Sequence, residues 1–293
     1  MPVHQLAIDL RGADPAAAEA ACLTLGAISV ALFDAGHDPV YEPSPGETPL
    51  WREIELRALF RENADPRLAA ATLTAVLGLA DEAIRIETLA DRAWEREWLA
   101  HFRPMRFGRR LWVCPGGRRP DDDNAVVLEL DPGLAFGTGT HPTTAACLEW
   151  LDARRPRGLS ILDWGCGSGI LALAALRLGA ARAAAFDIDP QALVATRDNA
   201  ARNGLGGRLQ VAADAARITG EFDVVLANLL AGPLIALAPE LARRCRPGGE
   251  VLLAGLLDAQ AAEVADAYRP WFDVGIAARR EGWTTLAGNR RAE

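Results

Sequence analysis

The sequence predicts an α/β protein that combines a doubly wound parallel sheet with a smaller α+β module at the N-terminus. Two observations predict this fold class. From about residue 125 onward, apolar strands alternate with helical segments, which is typical of a parallel sheet covered by helices on both faces. The first ninety residues follow a different order, β-α-β-β-α-β. The 293 residues accommodate both units, because one domain takes about 100–200 residues.

The N-terminal module is predicted over residues 1–90. Its two helices begin after Asp14 and Asp65, because aspartate caps a helix well and a proline follows each of them in the first turn. Residues 54–60 alternate between apolar and charged side chains, as a half-buried strand does. The four strands are predicted at 5–10, 28–33, 54–60 and 83–87. Their order with the helices is the ferredoxin-like pattern.

Residues 91–120 are predicted to connect this module to a larger domain over residues 121–293. The connection consists of a helix over 91–101 and a segment rich in arginine, glycine and proline. The strands of the larger domain are predicted at 125–130, 160–163, 183–187, 208–212, 222–227, 250–254 and 272–277. No helix is evident between the last of these and the apolar stretch at 283–286, so the sheet is expected to end in an antiparallel hairpin.

The charge of the chain is unevenly distributed. The formal net charge is −8, and no residue is lysine, so all 31 basic residues are arginines. Residues 1–100 contain 8 arginines and 17 acidic residues, whereas the remainder is close to neutral. An acidic module repels nucleic acid and attracts a basic partner, although a charged face also serves solubility alone. We therefore expect no direct nucleic-acid partner.

Cysteine usage and hydropathy indicate the compartment. The five cysteines are scattered and form no CxxC pair, which argues against a disulfide framework or a zinc site and favours a reducing environment. The histidines have no metal-ligand spacing. No apolar run approaches the roughly 20 residues that cross a bilayer, and no secretory signal is evident. The sequence predicts a cytoplasmic protein without a metal or a membrane partner.

The segment Ile161–Ile170, ILDWGCGSGI, is the most informative motif. An apolar strand ends in Asp163, glycines follow at 165, 167 and 169, and a helix then begins. Glycine allows a tight turn and a close approach of the backbone to a ligand, and ligands bind beyond the carboxyl ends of parallel strands. The dinucleotide fingerprint GxGxxG fails here, because Ile170 occupies its third glycine position. An acid beside the turn opposes a pyrophosphate but suits the cationic methionyl end of S-adenosylmethionine (SAM).

Further candidate ligands follow the next strands. Asp187 ends one of them, 18 residues after Gly169, where a carboxylate accepts hydrogen bonds from a ribose diol. Asp189 precedes Pro190 and is expected to cap the next helix. Asp214 is interpreted either as a ligand of an adenine amino group or as part of a surface turn. Asn228 ends a later strand, and its amide offers both a donor and an acceptor.

A polar loop precedes the helix before the glycine motif. It reads FGTGTHPTT over residues 136–144 and is typical of a lid or a cofactor clamp. His141 is a candidate base, but a histidine before Pro142 also shapes a helix start. Three tryptophans at 94, 98 and 112 are candidates for substrate contact, although packing is the commoner role of such residues.

Together these segments resemble the PrmA family, the methyltransferases that modify ribosomal protein L-eleven (L11). The resemblance covers nearly the whole chain, although the N-terminal module matches mostly in size and pattern. The glycine motif is shared by all SAM-dependent enzymes of this fold, whereas the FGTGTHPTT loop joined to NLLAGPL is specific to the family. The matching segments are DPGLAFGTGTHPTT (131–144), ILDWGCGSGILALAALRLGA (161–180), FDIDPQALVATRDNAARNG (186–204), NLLAGPL (228–234) and EGWTTLAG (281–288).

The resemblance implies a Rossmann-like SAM-dependent methyltransferase whose acceptors are the α-amine and the lysine ε-amines of L11. It further implies that the N-terminal module recognises this basic protein substrate. The positions expected to bind SAM, from the resemblance and from the motif, are Thr144, Asp163, Gly165, Gly167, Gly169, Asp187 and Asn228. Asn228 is also the candidate for orienting the attacking amine.

Other interpretations remain open from the sequence. The same scaffold serves methyltransferases that act on RNA or on small molecules. The chain has NLLA where many enzymes that methylate planar bases have an asparagine, two prolines and an aromatic residue, which disfavours a nucleobase acceptor. A non-catalytic SAM-binding protein is the second alternative, and an NAD-dependent oxidoreductase is disfavoured by Ile170.

Overall fold

The computed structural model describes residues 3–36, 50–89, 103–130 and 139–292, and the chain divides into two compact units, Met1–Glu97 and Trp98–Glu293. Two features predicted from the sequence lie outside the described residues. They are the helix at 91–101, with the tryptophans at 94 and 98, and the first part of the polar loop, residues 136–138.

The first unit contains a four-stranded antiparallel sheet with strand order β2-β3-β1-β4. Both helices begin where the sequence predicts, because the Asp14 carboxylate accepts a hydrogen bond from the Ala16 amide and Asp65 accepts one from Arg67. The assignment of this unit to the ferredoxin-like fold stays a prediction. Its elements are β1 (Val3–Asp9), α1 (Pro15–Thr24), β2 (Ser29–Asp34), β3 (Ile54–Arg61), α2 (Pro66–Leu77) and β4 (Ile84–Leu89).

The core of this unit follows from the alternation in β3. Ile54, Leu56, Ala58 and Phe60 point to one face and are buried, whereas the residues between them are partly exposed. They pack with apolar residues of β1, α1 and α2 into one cluster. A strand with one buried and one solvated face is what period-two patterning dictates.

The second unit begins with a small three-stranded sheet of β5 (Met105–Phe107), β6 (Leu111–Cys114) and β7 (Val126–Glu129). The strand at 125–130 was predicted to belong to the main sheet. This prediction is wrong, because the strand pairs with β6 in the small sheet. The buried carboxylate of Asp152 explains the separate sheet, since it accepts hydrogen bonds from the amides of Arg109 at 2.6 Å and Arg110 at 3.3 Å. This contact fixes the β5–β6 turn to the helix that carries Asp152.

The main sheet has seven strands in the order β10-β9-β8-β11-β12-β14-β13. The first five are parallel, and β14 is antiparallel to both of its neighbours, so the predicted terminal hairpin is confirmed. The strand order reverses direction between β8 and β11. The strands are β8 (Ser160–Trp164), β9 (Arg182–Phe186), β10 (Leu209–Ala212), β11 (Phe222–Asn228), β12 (Cys245–Leu257), β13 (Phe272–Arg280) and β14 (Trp283–Arg290).

Helices cover both faces of this sheet, as the alternating pattern predicts. One apolar cluster joins one face to α3, α4 and α5, and a second joins the other face to α6 and α7. The predicted α/β class with a mostly parallel sheet is confirmed. The helices are α3 (Pro142–Arg154), α4 (Ile170–Arg177), α5 (Pro190–Arg202), α6 (Ala231–Arg244) and α7 (Ala261–Tyr268).

All five cysteines are buried and unpaired. Among the described residues, no helix combines the length and apolar character that a bilayer crossing requires.

Candidate functional site

The candidate site lies at the carboxyl ends of β8, β9 and β11. The order of the sheet reverses between β8 and β11, and in open α/β sheets this reversal opens a crevice for a ligand. The glycine motif follows β8, Asp187 follows β9, and Asn228 is the last residue of β11. The fold therefore brings these three sequence-predicted features to one edge of the sheet.

The loop after β8 requires its glycines. Gly165, Gly167 and Gly169 have φ values of 76°, 54° and 77°, in the left-handed region that disfavours side chains. A methyl group on Gly169 would lie 2.8 Å from Cγ2 of Thr196, and one on Gly165 would overlap Cδ2 of Leu229. The loop backbone is therefore packed between α5 and the residues after β11.

The amide groups of this loop are already bonded within the protein. Gly165 and Cys166 both donate to the carbonyl oxygen of Phe186, at 2.8 and 3.0 Å, and Gly167 donates to Oδ2 of Asp187 at 2.8 Å. A loop that binds pyrophosphate needs free amide groups pointing at the ligand. The internal hydrogen bonds therefore support the exclusion of a dinucleotide that the sequence made from the position of Ile170.

Asp163 strengthens this exclusion. Its side chain is 1% exposed, and Oδ2 accepts a hydrogen bond from the amide of Ala172 in the first turn of α4 at 3.0 Å. Burial, together with the nearby charge of Asp187, raises the pKa of the carboxyl to about 7 against the lowering effect of the Ala172 bond. A carboxyl group thus occupies the helix start where a phosphate binds in nucleotide folds. The direct contact of Asp163 with a cofactor stays a prediction.

Asp187 connects two parts of the site. Its Oδ2 holds the amide of Gly167, and its Oδ1 accepts a hydrogen bond from the amide of Asp189 at 3.0 Å. A carboxylate has about four lone-pair positions, so two remain for hydroxyl groups of a ligand. The side chain is half-buried at the edge of the sheet, which leaves it accessible.

The other two acidic candidates are used in local turns. Asp189 caps α5 by accepting a hydrogen bond from the amide of Gln191 at 2.8 Å, as the sequence predicts. Asp214 accepts one from the amide of Ala216 at 2.9 Å and begins a short 3₁₀ turn. The exposed Asp214 side chain therefore fits the surface-turn interpretation.

Asn228 and Thr144 form the second part of the site. The Asn228 amide donates from Nδ2 to Oγ1 of the buried Thr144 at 3.3 Å, which joins the end of β11 to the first turn of α3. This bond orients the amide so that its Oδ1 acceptor remains for another partner. The two residues lie 84 positions apart in the chain and were expected in the same site from the sequence alone.

His141 shapes the start of α3. Its Nδ1 accepts a hydrogen bond from the amide of Thr143 at 3.3 Å, so the helix-start interpretation is supported. The ring lies edge-on to Trp283, with centroids 5.0 Å apart and planes at 71°. Burial lowers the pKa of His141, partly offset by the charge of Glu281. No spacing pattern pairs His141 with Trp283, although Trp283 lies in the EGWTTLAG segment.

Leu229 is the residue of the site that the sequence analysis missed. Its side chain lies against Gly165. Its backbone occupies the space that a side chain on Gly255 would need, and Gly255 itself has a φ of 90°. Its amide donates to the carbonyl oxygen of Ala254 at 2.9 Å. The residue after Asn228 is therefore held between the glycine loop and β12, which fixes the direction of Asn228.

Comparison with known proteins identifies the family of this architecture. The family model described as ribosomal protein L11 methyltransferase (PrmA) matches residues 2–291. A relative from Methylococcus capsulatus, named ribosomal protein L11 methyltransferase, is 53% identical over 275 residues, which is 92% of this chain and 93% of that protein. A Pseudomonas aeruginosa protein of the same name is 49% identical and covers the full length of both chains.

A solved structure agrees with these sequence relatives. It is described as a ribosomal protein L11 methylase from Lactobacillus delbrueckii subsp. bulgaricus, is 31% identical, and superposes with a TM-score of 0.60 over 65% of this chain and all of that chain. The family resemblance inferred from the motifs is confirmed. Because the family model matches residues 2–291 and the relatives share about half of their residues with this chain, the chain belongs to the ribosomal protein L11 methyltransferase (PrmA) family.

Proposed function

We propose that this methyltransferase transfers methyl groups from SAM to amino groups of ribosomal protein L11, at the N-terminal α-amine and at lysine ε-amines. The observation that carries the proposal is the bonded pair Asn228–Thr144 beside a glycine loop whose Gly165, Cys166 and Gly167 amides are bonded within the protein. Membership of the family and the names of the relatives support the protein substrate. A ribosomal substrate places the reaction in the cytoplasm.

The residues at the crevice suit SAM. The remaining lone pairs of the Asp187 carboxylate match the two hydroxyls of a ribose. The left-handed glycines bring backbone rather than side chains to the crevice, which leaves room for the methionyl part near Gly165 and Gly167. When bound, SAM supplies a methyl group that its sulfonium has already activated. The chain itself contributes position and orientation.

Asn228 is proposed to orient the acceptor amine. Its Nδ2 is bonded to Thr144, so Oδ1 is the atom that accepts a hydrogen bond from an amine N–H. Such a contact directs the nitrogen lone pair away from Asn228 and toward the methyl carbon. Leu229 holds the backbone of this residue in place from the other side, and a fixed attack geometry accounts for much of the rate gain in such reactions.

The acceptor amine must be neutral before it attacks. A buried position beside a positive charge lowers the pKa of an ammonium group, so the proton leaves to solvent as the substrate enters. His141 is not required as a base in this scheme, and its Nδ1 is already bonded within the helix start.

The N-terminal unit is proposed to recognise the substrate. Residues 1–100 carry a net charge of −9, and ribosomal proteins are commonly basic, so the charges are complementary. We expect that deletion of residues 1–90 abolishes methylation of L11 and leaves SAM binding intact, as measured by calorimetric titration of the truncated protein. Unchanged methylation would refute this division of labour.

The function is tested by incubating the full-length protein with labelled SAM, purified L11 and ribosomal RNA, followed by mass spectrometry. Since the enzyme has no lysine, every methyl-lysine in the mixture comes from the substrate. Label in L11 supports the proposal, whereas label confined to RNA contradicts it.

Two variants assign the roles within the site. Asn228→Ala is expected to lower kcat by about 100-fold, because the lost contact orients the acceptor, and to weaken SAM binding as well, because Asn228 is also among the positions expected to bind SAM. Asp187→Ala is expected to weaken SAM binding by about 10- to 100-fold through the lost charged hydrogen bonds. Asn124→Ala is the matched control, because Asn124 is exposed and bonds Asp122 through its backbone amide rather than through its side chain. Full activity of Asn228→Ala would remove the orienting role.

A further inference from the structure

A cavity of about 290 Å³ lies in the second unit, away from the crevice at the strand ends. It is formed where the loop after β6 and the strand β7 meet the last residue of α4, Arg177. The glycine loop precedes the first residue of the same helix. Eight residues of helix span about 12 Å, so the cavity and the proposed SAM site are at opposite ends of α4.

The cavity is lined by arginines. Arg118, Arg119 and Arg177 contribute to its wall, and Glu129 is the one acidic residue among the lining residues. Burial lowers the pKa of Arg177, as do the nearby charges of Arg208 and Arg119, against the raising effect of Glu129. The described lining residues thus carry three arginines against one glutamate, in a chain whose net charge is −8.

Arg177 and Arg208 are held by neutral groups rather than by carboxylates. Arg177 donates from Nε and Nη2 to Oδ1 of Asn203, at 3.3 and 3.0 Å, and Arg208 donates to the carbonyl oxygen of Ala180 at 3.2 Å. Within the described part of the chain, no ion pair joins Arg119, Arg177 or Arg208 to an acidic side chain. These three guanidinium groups are therefore not committed to ion pairs within the described residues.

Asn203 gives the cavity a built geometry. This buried amide donates from Nδ2 to the carbonyl oxygen of Glu129 at 2.6 Å, and its Oδ1 accepts from the amide of Glu129 at 3.0 Å. The same Oδ1 fixes the guanidinium of Arg177 against the wall. A guanidinium that is held in place loses less conformational freedom when it binds an anion. The aspartates at 121–123 share the loop but do not line the cavity.

We propose that this cavity binds a compact phosphorylated ligand, with a diphosphate group seated between Arg119 and Arg177. Guanidinium groups bind phosphate oxygens in pairs of parallel hydrogen bonds, which suits a cluster of arginines around a small volume. The described lining residues include no aromatic side chain on which a base could stack, so a free diphosphate fits better than single-stranded RNA. The site is separate from methyl transfer and does not depend on the identity of the methyl acceptor.

The test is calorimetric titration of the full-length protein with pyrophosphate at low ionic strength, in the presence of saturating S-adenosylhomocysteine. Saturable binding of one pyrophosphate is expected, and its affinity should fall as salt is added. Arg119→Gln is expected to weaken binding by about tenfold or more, and Arg177→Lys by less, since lysine keeps the charge but loses the paired donors. The control Arg67→Gln removes the same charge from an exposed position in the first unit and should leave binding unchanged.

Several outcomes overturn the proposal. One is the absence of saturable binding, and another is an equal loss in Arg119→Gln and Arg67→Gln, which indicates net charge alone. Competition between pyrophosphate and S-adenosylhomocysteine places the anion in the crevice instead. A parallel titration uses a single-stranded RNA oligonucleotide. If the RNA binds, loses affinity in Arg119→Gln and is not displaced by pyrophosphate, the proposal of a compact ligand is also refuted. Arg119 is exposed and makes no hydrogen bond with the described residues, so its variant should keep the melting temperature of the parent.

Discussion

Replacing Gly165 with alanine tests how the glycine loop fixes the acceptor side of the site. The residue has φ of 76°, and the added methyl group would overlap Cδ2 of Leu229 and lie 3.2 Å from its Cγ. An alanine in the left-handed region costs about 1–2 kcal/mol. Overpacking against a partly buried side chain costs about 1–3 kcal/mol more. We therefore expect a total destabilisation of about 2–5 kcal/mol.

Differential scanning calorimetry measures this effect. For a unit of this size, each kcal/mol lowers Tm by about 2–4 °C, so Gly165→Ala should lower Tm by about 4–20 °C. Gly204→Ala is the matched control, because Gly204 has φ of 64° but nothing within 4 Å of an added methyl group. In that control only the backbone strain destabilises the protein, so Tm should fall by about 2–8 °C.

The double variant Gly165→Ala/Leu229→Ala separates packing from backbone strain. Removal of the Leu229 side chain should restore about 1–3 kcal/mol relative to the sum of the single changes, because the two groups compete for one space. If the Gly165 and Gly204 variants melt alike, or if the double variant shows no suppression, the contact with Leu229 has no energetic weight and the reasoning is refuted.

Three further predictions concern titration. Burial and the charge of Asp187 raise the pKa of Asp163 to about 7 from 3.8, so its contribution to stability is present at low pH and is lost as pH rises from about 4 to 7. Asp163→Asn should therefore have a higher Tm than the parent at pH 8 and lose that advantage near pH 4. A difference in Tm that does not change with pH contradicts this. Burial raises the pKa of Asp223, but the hydrogen bonds from Ser160 and Arg246 outweigh this effect and lower the pKa to about 2. In thermal melts, Asp223→Asn should therefore be less stable than the parent at pH 7, and this difference should disappear as pH falls from about 4 to 2. Removing the ring that covers His141, by Trp283→Ala, should raise the pKa of His141 in an NMR titration, and an unchanged pKa indicates that other groups bury it.

Local sequence patterns predicted the features that depend on neighbouring residues. The aspartate-proline helix starts, the strand–helix alternation and the glycines at 165, 167 and 169 are such features, because capping, periodicity and backbone freedom act over a few residues. The family segments also placed Thr144 and Asn228 in one site.

The features that were missed depend on long-range packing. The strands at 105–107 and 111–114 are short and lie in an arginine-rich segment, so no periodicity revealed them, and the carboxylate that fixes them is Asp152, about forty residues later. The contact of Leu229 with the glycine loop is equally non-local. Whether Asp163 faces solvent or a helix amide depends on how α4 packs, and a motif contains no such information.

The position of β14 has a consequence for synthesis. This strand lies between β12 and β13, so the seven-stranded sheet has a gap until β14 has been made. Proteins fold from the N-terminus as they are made, unit by unit. The first unit can therefore fold early in translation, whereas the sheet of the second unit closes only after β14 has been made. A chain that stops before residue 283 would also lack the strand that carries Trp283 toward His141, so a premature stop should yield an aggregation-prone fragment with unpaired sheet edges.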